Sequence, residues 1–470
     1  MRTPRCTAIS DRATHQARAA RPRRLRRLAT AVVALAALLS PLSPSSAAPH
    51  LDLASAVRTT AHHAGIRVPS TFFGMHDSST QAYGRVRFGA LRLWDAGVAW
   101  NDLETSPGVY DWSRLDSLVS AAQAHGTKVM LVLAMTPSFY AAQPSLPPRD
   151  LGAYRAFVRA VMTRYRDFQG QRGIVEYQVW NEGNVPTFWT GSPRQLAQLT
   201  RIVHQVRAAV DPGATVVAPS FAVRLEGQRR WVSAYESQRV GGRPVWRDYD
   251  VNALSLYPMA TYGSRTGGPE DAVGLLGGIR HRLAAAGVPR RMPLWATEIN
   301  YGLPSGAPPG HLAAAPISAQ RQAANVIRTY LLAAASGIGR VYWYRYDWGL
   351  LPPSMGGGTL GNTLLSDPSD HTVVTAAGQA LQTVESWMRG RLVATGKGGP
   401  CARSARGTYT CVVRYAHGVR RIYWNPRHRV RIPVDTAATH AQDSLGRPLD
   451  VTRGGTAEVG YRPVMIESRG

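Results

Sequence analysis

The chain has 470 residues, of which 44% are hydrophobic and 18% are charged, and it contains 32 prolines. This length allows one large domain and a smaller one, and the composition is typical of a globular protein with many loops. The formal net charge is +26. The arginines are spread along the chain without a patterned module, which argues against a nucleic-acid-binding protein.

The first 48 residues are predicted to be a secretory signal peptide. Six arginines within residues 18–27 precede an apolar run at residues 28–39, and small residues at 45–48 close the segment. The apolar run is too short to cross a bilayer as a stable helix. No cysteine stands at the cleavage site, so we expect a secreted, extracellular protein that starts near Pro49 and has no membrane anchor.

The basic charge has two interpretations. Removal of residues 1–48 would take away nine basic side chains and one acidic one, which lowers the net charge from +26 to +18. This charge could attract the protein to an acidic polysaccharide or an anionic cell wall. It could also be a compositional bias toward arginine, and the sequence leaves both interpretations open.

From about residue 70, short apolar runs alternate with amphipathic helical stretches. Eight runs are candidate strands: residues 71–76, 90–94, 128–133, 174–180, 215–220, 251–257, 293–298 and 341–344. This alternation predicts an α/β fold of the (β/α)8 TIM-barrel type, which we assign to residues 49–390. Only thirteen residues separate His76 from Ala90, so the first connection has room for no more than a short helix.

The helical stretches begin at residues that commonly cap helices. These are Asp111 with Ser113, Asp150, Ser192 followed by Pro193, and Ser318. Each precedes apolar residues at helical spacing. A last helix is expected over about 368–388.

After Gly390 the helical periodicity ends, and five β-rich runs follow at residues 408–415, 421–424, 430–434, 457–461 and 463–466. They predict a small antiparallel β domain over residues 391–470. Cys6 would leave with the signal peptide. The remaining pair, Cys401 and Cys411, would then form a disulfide in an exported protein.

Two glutamates end predicted strands. Glu182, directly after Asn181, ends the fourth strand, and Glu298 ends the seventh strand 116 residues later. In such barrels the catalytic groups come from the carboxyl ends of the strands. Two carboxylates are the minimum for cleaving a glycosidic bond, and a separation of about 5–5.5 Å would support a retaining mechanism. The alternative is that they cap helices or lie on the surface.

The sequence resembles the clan A glycoside hydrolases, in which Asn-Glu ends the fourth strand and a second Glu ends the seventh. Within the clan it is most similar to family 39. The matching passages are Gly-Val-Tyr-Asp-Trp at 108–112, Thr-Pro-Ser at 136–138, Trp-Asn-Glu-Gly-Asn at 180–184 and Phe-Trp at 188–189. Family members commonly have Pro where this chain has Gly183, a departure that affects loop stiffness more than chemistry.

The resemblance covers most of residues 70–350 and implies an activity. Glu182 would be the general acid/base and Glu298 the nucleophile of a cofactor-free, retaining glycosidase that acts on a poly- or oligosaccharide. Glu182 must hold a proton, which requires burial or a nearby negative charge, and Glu298 must stay ionised, which requires a cation and hydrogen-bond donors.

Arg92 is the candidate cation. It lies between Leu91 and Leu93, and a guanidinium among apolar residues is costly unless it is paired. Clan relatives have an arginine on this strand that contacts the nucleophile. The alternative is an arginine that points outward to a helix. Tyr257, at the end of the sixth strand, could donate its hydroxyl to Glu298 or could be structural.

Four further residues are candidates for the substrate site. Asn181 would bond the sugar 2-hydroxyl, a contact that strengthens in the transition state. Trp343 could stack on the apolar face of a sugar, with Trp348 as the second choice, or could belong to the core. His76 ends the first strand and would line the site.

Motifs that are typical of other enzyme classes are absent from the sequence. The sequence has no Gly-x-Ser-x-Gly, no His-Glu-x-x-His and no cysteine cluster, so it indicates neither a serine hydrolase nor a metal site, and we expect no cofactor. Two alternatives to hydrolysis stay open: a carbohydrate-binding protein without turnover, and a transglycosylase in which a sugar acceptor replaces water.

Overall fold

The computed structural model describes residues 65–78, 83, 85–258, 267–301, 317–346, 364–367, 370, 372–395 and 399–469, all within the unit Leu53–Gly470. The predicted signal peptide and Trp348 lie outside these residues. Among the residues described, no helix is long and apolar enough to span a membrane.

Eight parallel strands, paired in sequence order, close into a barrel. They are β1 (Phe73–His76), β2 (Ala90–Leu93), β3 (Lys128–Leu133), β4 (Glu176–Val179), β5 (Thr215–Ala222), β6 (Val251–Ser255), β7 (Leu294–Ile299) and β8 (Arg340–Trp343). All eight predicted strands are present, and the predicted (β/α)8 fold is confirmed. Every strand is buried along most of its length, as parallel strands covered by helices on the outside must be.

The α-helices in the described residues are α1 (Trp100–Leu103), α2 (Ser113–Ala124), α3 (Leu151–Tyr165), α4 (Pro193–Val210), α5 (Glu226–Glu236), α6 (Pro269–Gly274), α7 (Leu276–Ala285), α8 (Ala319–Ala335) and α9 (Ala376–Trp387). Short 3-10 helices cover Ser70–Phe72 and Val245–Asp248. Two small hairpins pair Glu104–Ser106 with Val109–Tyr110, and Arg239–Val240 with Arg243–Pro244.

The predicted helix starts are confirmed where the side chains satisfy backbone N–H groups. Asp150 accepts a hydrogen bond from Gly152 at 2.7 Å. Ser192 and Gln195 form a reciprocal capping box at the start of α4. Such caps satisfy N–H groups that have no partner inside the helix.

The first connection agrees with the prediction that it has room for no more than a short helix, whereas the last helix starts later than predicted. The described part of the segment between β1 and β2 contains no helix. The last helix begins at Ala376 instead of 368, because the Thr375 hydroxyl caps it by accepting from Gly378 at 3.2 Å. Residues 368, 369 and 371 lie outside the described part of the chain.

The C-terminal residues form antiparallel sheets, as predicted. Their strands are β9 (Arg391–Val393), β10 (Cys401–Arg403), β11 (Tyr409–Tyr415), β12 (Gly418–Trp424), β13 (Val430–Pro433), β14 (Ala438–Gln442), β15 (Thr456–Val459) and β16 (Val464–Arg469). The main sheet also includes Ile66–Arg67, which pairs with β9 from before the barrel. The predicted disulfide is confirmed: Cys401 and Cys411 face each other across β10 and β11 and are bonded.

A buried cation joins the barrel to the C-terminal sheet. Arg328 on α8 forms an ion pair with Glu270 on α6. The Trp424 indole, from β12, donates to the same carboxylate at 2.8 Å, and the Tyr461 ring centroid lies 4.2 Å from the guanidinium. Because a buried charge is stable only when it is paired, these contacts fix the sheet against the helices.

Candidate active site

Both glutamates lie at the carboxyl ends of barrel strands, where they were predicted. Glu182 follows β4 by three residues, and Glu298 is the penultimate residue of β7. Their exposed fractions are 8% and 6%. Each is therefore largely removed from water, which excludes the alternative that they are surface carboxyls. The separation of 5–5.5 Å between them stays a prediction.

The backbone at the strand ends is unusual. Trp180 and Glu182 have φ angles of +64° and +38°, and Asp95 and Met135, after β2 and β3, have φ angles of +55° and +71°. Residues other than glycine adopt this left-handed region at a cost of about 1–2 kcal/mol. Such strain persists where the surroundings fix it, and it clusters at functional sites.

Hydrogen bonds to β5 fix the strained segment around Glu182. The Ser220 hydroxyl accepts from the Glu182 N–H at 2.9 Å, and the Ser220 carbonyl accepts from Gly183 at 3.1 Å. The Trp180 indole donates to the Phe188 carbonyl at 2.7 Å. The backbone that presents Glu182 is therefore held from both sides.

Arg92 is fully buried on β2 and donates three hydrogen bonds. Its Nη1 donates to Glu298 Oε1, its Nη2 to Asn181 Oδ1 and its Nε to Gln178 Oε1, each at 2.7 Å. The predicted pairing of Arg92 with Glu298 is confirmed, and the outward-pointing alternative is wrong. One guanidinium thus ties together both strand ends that carry the glutamates.

Tyr257, two residues beyond β6, donates its hydroxyl to Glu298 Oε2 at 3.1 Å. This contact was predicted and is confirmed. Since Arg92 binds Oε1, each carboxylate oxygen of Glu298 has its own donor. Two donors hold the carboxylate in one orientation and favour its ionised form.

Burial raises the pKa of both glutamates. For Glu298 the pKa rises to about 7, because the nearby Arg92 charge only partly offsets the loss of water and the negative charge of Glu182 adds to it. For Glu182 burial is again the main cause. The Arg224 charge and the Ser255 hydroxyl oppose this rise.

The two glutamates differ in their contacts with cations. Glu298 is in direct contact with a guanidinium at 2.7 Å. Within the described residues, no arginine or lysine donates to the Glu182 carboxyl. A contact cation stabilises the ionised form more than a distant one does. Contact with a cation therefore favours the ionised form of Glu298, and Glu182 has no such contact among the described residues.

Asn181 keeps a free donor. Its Oδ1 accepts from Arg92 at 2.7 Å and from the Ser220 hydroxyl at 3.2 Å, so the amide orientation is set. Its Nδ2 is buried and has no hydrogen-bond partner among the described residues. A buried donor without a partner is costly, and a substrate hydroxyl would satisfy it. The bond to a sugar 2-hydroxyl stays a prediction.

His76 is buried beside this network. Its Nε2 lies 2.8 Å from the Thr297 carbonyl, which assigns the proton to that nitrogen. Burial and the Arg92 charge hold the pKa of His76 well below its usual value, so the ring is neutral. The buried ring thus contacts β7 through Thr297. Contact of His76 with substrate stays a prediction.

Trp343 does not have the predicted stacking role. It has no exposed surface and lies in the hydrophobic core, with the Tyr301 ring centroid 6.0 Å away. A ring without an exposed face cannot stack on a sugar, so the core alternative is correct.

Tyr344 and Asp95 were missed. Tyr344, next to Trp343, keeps part of its surface exposed, and its hydroxyl donates to Asp95 Oδ2 at 2.7 Å. Its ring centroid lies 5.0 Å from that of His76. Successive side chains of a strand point to opposite sides, and this alternation could have directed the prediction to Tyr344. Asp95 directly follows the second predicted strand, and this position at a strand end could have identified it as a candidate site residue.

Asp95 is the third carboxyl near the two glutamates. Burial raises its pKa, against the Tyr344 hydroxyl and the charges of Arg345 and Arg92. Its charge in turn raises the pKa of Glu182 and Glu298. No group of three or more residues suited to bind a metal ion occurs among the described residues.

Comparison with solved structures finds the same fold in several glycoside hydrolases. A glucosidase from Croceicoccus marinus is 13% identical, with a TM-score of 0.60 over 87% of this chain and 98% of its own. A family 39 glycoside hydrolase from Bacteroides cellulosilyticus WH2 is 16% identical, with a TM-score of 0.60 over 86% and 82%. A monomeric beta-xylosidase from Caulobacter crescentus CB15 is 16% identical, with a TM-score of 0.59 over 86% and 97%.

Comparison of the sequence alone finds no related protein or family. No family model matches the chain, and no curated protein matches it. The similarity to families 39, 30, 51 and 44 is therefore a similarity of fold.

Proposed function

We propose that this chain is a retaining glycoside hydrolase that cleaves O-glycosidic bonds of a poly- or oligosaccharide by double displacement. One observation carries the proposal: two buried glutamates share a barrel mouth, and only Glu298 has a guanidinium and a hydroxyl on its two oxygens. Different environments give two carboxyls different roles. The resemblance of residues 70–350 to clan A enzymes and the shared fold support the same assignment.

In the first step, the Glu298 carboxylate attacks the anomeric carbon while Glu182 gives its proton to the leaving oxygen. The glycosidic bond breaks and a glycosyl ester forms on Glu298. Arg92 and Tyr257 orient the attacking carboxylate, and their hydrogen bonds to it weaken as its negative charge is neutralised in the ester. The Asn181 amide N–H donates to the sugar hydroxyl next to the reacting carbon, where the bond strengthens as positive charge develops.

In the second step, Glu182 is ionised and takes a proton from water. The water attacks the anomeric carbon, Glu298 leaves, and Glu182 is protonated again. Its pKa must fall on forming the ester, because the negative charge of Glu298 disappears, and this charge is one of those that interact with Glu182. Two inversions at one carbon give net retention of configuration.

The fold neighbours suggest the kind of substrate without fixing it. The solved structures include a glucosidase and a beta-xylosidase. We therefore propose a substrate whose sugars are joined by O-glycosidic bonds. We also propose that the protein is exported and acts outside the cell, on the pattern of residues 1–48.

A panel of aryl glycosides and polysaccharides tests the proposal. The unmodified chain should release sugar from at least one of them. On a polysaccharide, whose leaving oxygen needs a proton, Glu182→Gln and Glu298→Gln should each lower kcat/KM by at least about a thousandfold. Glu458→Gln is the matched control, since Glu458 is an exposed carboxyl of the C-terminal sheet. Binding of a glycan without turnover of any substrate in the unmodified chain would instead identify a carbohydrate-binding protein.

A further inference from the structure

A second pocket, of about 770 Å³, lies away from the glutamates. The end of α5, the Arg239–Val240 and Arg243–Pro244 hairpin, the turn before β6 and Gly287 after α7 line it. A barrel helix runs antiparallel to the strand that it follows, so helix ends and strand starts lie at the same face. The pocket is therefore at the amino-terminal face of the barrel, opposite Glu182 and Glu298.

The pocket has an excess of positive charge. Arg239 and Arg247 are exposed, and neither has a carboxylate partner in the part of the chain that the structure describes. Arg243 pairs with Asp248 at 2.9 Å, but Arg201 uses the same carboxylate oxygen at 2.7 Å. One carboxylate thus pairs with two arginines, and Arg239 and Arg247 have no carboxylate partner among the described residues.

The one carboxyl among the residues that line the pocket does not offset this charge. Glu236, at the end of α5, is buried and accepts a hydrogen bond from the Tyr249 hydroxyl at 2.6 Å. Burial raises the pKa of Glu236 to about 8, so the group is mostly neutral at pH 7. An anion entering the pocket would therefore meet guanidinium groups without a competing carboxylate.

An aromatic ring accompanies the arginines. Trp246 is half-buried in the lining, and the Arg247 guanidinium lies 5.1 Å from its ring centroid. Its indole N–H donates to none of the described residues. The pocket thus offers a flat apolar ring, a free N–H and planar cations side by side. Sugars bind to flat aromatic faces, and guanidinium groups bind carboxylates with two parallel hydrogen bonds.

We propose that this pocket is a second, non-catalytic site for a sugar that carries a carboxylate, such as a uronic acid unit of a polysaccharide. The Trp246 ring contacts the apolar face of the sugar, while Arg239 and Arg247 bind the carboxylate. Occupation of this face leaves the opposite mouth free, so an anionic glycan could retain the protein near its substrate. The inference does not depend on the proposed catalytic function.

Calorimetric titration of the full-length Glu298→Gln chain with hexagalacturonate tests the inference, because this variant excludes turnover. Binding should weaken at least tenfold when Arg239→Ala and Arg247→Ala are combined, and also in Trp246→Ala. It should weaken between 50 and 500 mM salt, since screening shortens the reach of charges. The control, Arg453→Ala, removes an exposed arginine of the C-terminal domain and should leave the affinity within about twofold.

Several results would overturn the inference. These are no binding of hexagalacturonate, equal binding in the double arginine variant, and binding of a neutral hexasaccharide or inorganic phosphate as tight as that of hexagalacturonate. Circular dichroism melting of each variant separates lost binding from lost folding. If Trp246→Ala does not fold, the double arginine variant decides, because both of its side chains are exposed.

Discussion

Arg92→Met should move the pH dependence of the reaction. The substitution removes a buried cation that donates to Glu298, Asn181 and Gln178, each at 2.7 Å. Breaking a buried ion pair costs about 3–5 kcal/mol, and about 1.4 kcal/mol corresponds to one pKa unit. At the lower end, the pKa of Glu298, already raised to about 7, would rise by about two further units.

The nucleophile must be ionised, so activity is lost as the pH falls through the pKa of Glu298. The acidic limb of kcat/KM should therefore shift upward by about two pH units in Arg92→Met, and kcat/KM at pH 7 should fall about fiftyfold, because the ionised fraction of Glu298 falls from about one half to about one hundredth. Initial rates on an aryl glycoside between pH 4 and 10 measure both. Arg92→Lys keeps a positive charge and should show a smaller shift.

Arg164→Met is the matched control, since Arg164 forms a partly exposed ion pair with Asp116 on the outer helices. Its profile should match that of the unmodified chain. A folded Arg92→Met variant with an unmoved acidic limb would refute the reasoning. If that variant does not fold, an unmoved limb together with full activity in Arg92→Lys would refute it equally.

Three other predictions follow from single contacts. Tyr257→Phe removes one of the two donors to Glu298 and should lower kcat/KM about tenfold without lowering the melting temperature by more than a few degrees. Because burial raises the pKa of Glu236 to about 8, its contribution to stability is largest below pH 4.5 and is lost as the pH rises toward 8; urea unfolding should show a weaker decline in Glu236→Gln. Thiol labelling of the unfolded, unreduced chain without residues 1–48 should find no free cysteine, and reduction of Cys401–Cys411 should cost roughly 2.5–3 kcal/mol.

The barrel could be predicted because its signals are local and consistent. The apolar run at residues 128–133 matches β3 from end to end, and Asp150 and Ser192 cap the helices that they were expected to cap. Both glutamates were found because a polar residue at the end of a buried strand has no structural reason to be there. Arg92 was found by the same argument, since a charge between two leucines needs a partner.

The errors share a physical cause, which is that side-chain direction and long-range pairing leave little trace in a sequence. Trp343 and Tyr344 are neighbours, and only the register of β8 decides which of them is buried. The pairing of Ile66–Arg67 with Arg391–Val393 joins residues more than 300 positions apart. Strands of two or three residues carry too few side chains for a pattern.

The stereochemistry of the first product tests the central claim most directly. Proton NMR of an aryl glycoside or oligosaccharide reaction, recorded before the sugar product mutarotates, distinguishes the two anomers. With Glu298 as the nucleophile and Glu182 as the acid and then the base, the anomer formed first has the configuration of the substrate. An inverted first anomer would contradict the account, because Glu298 would then activate water instead of attacking the sugar.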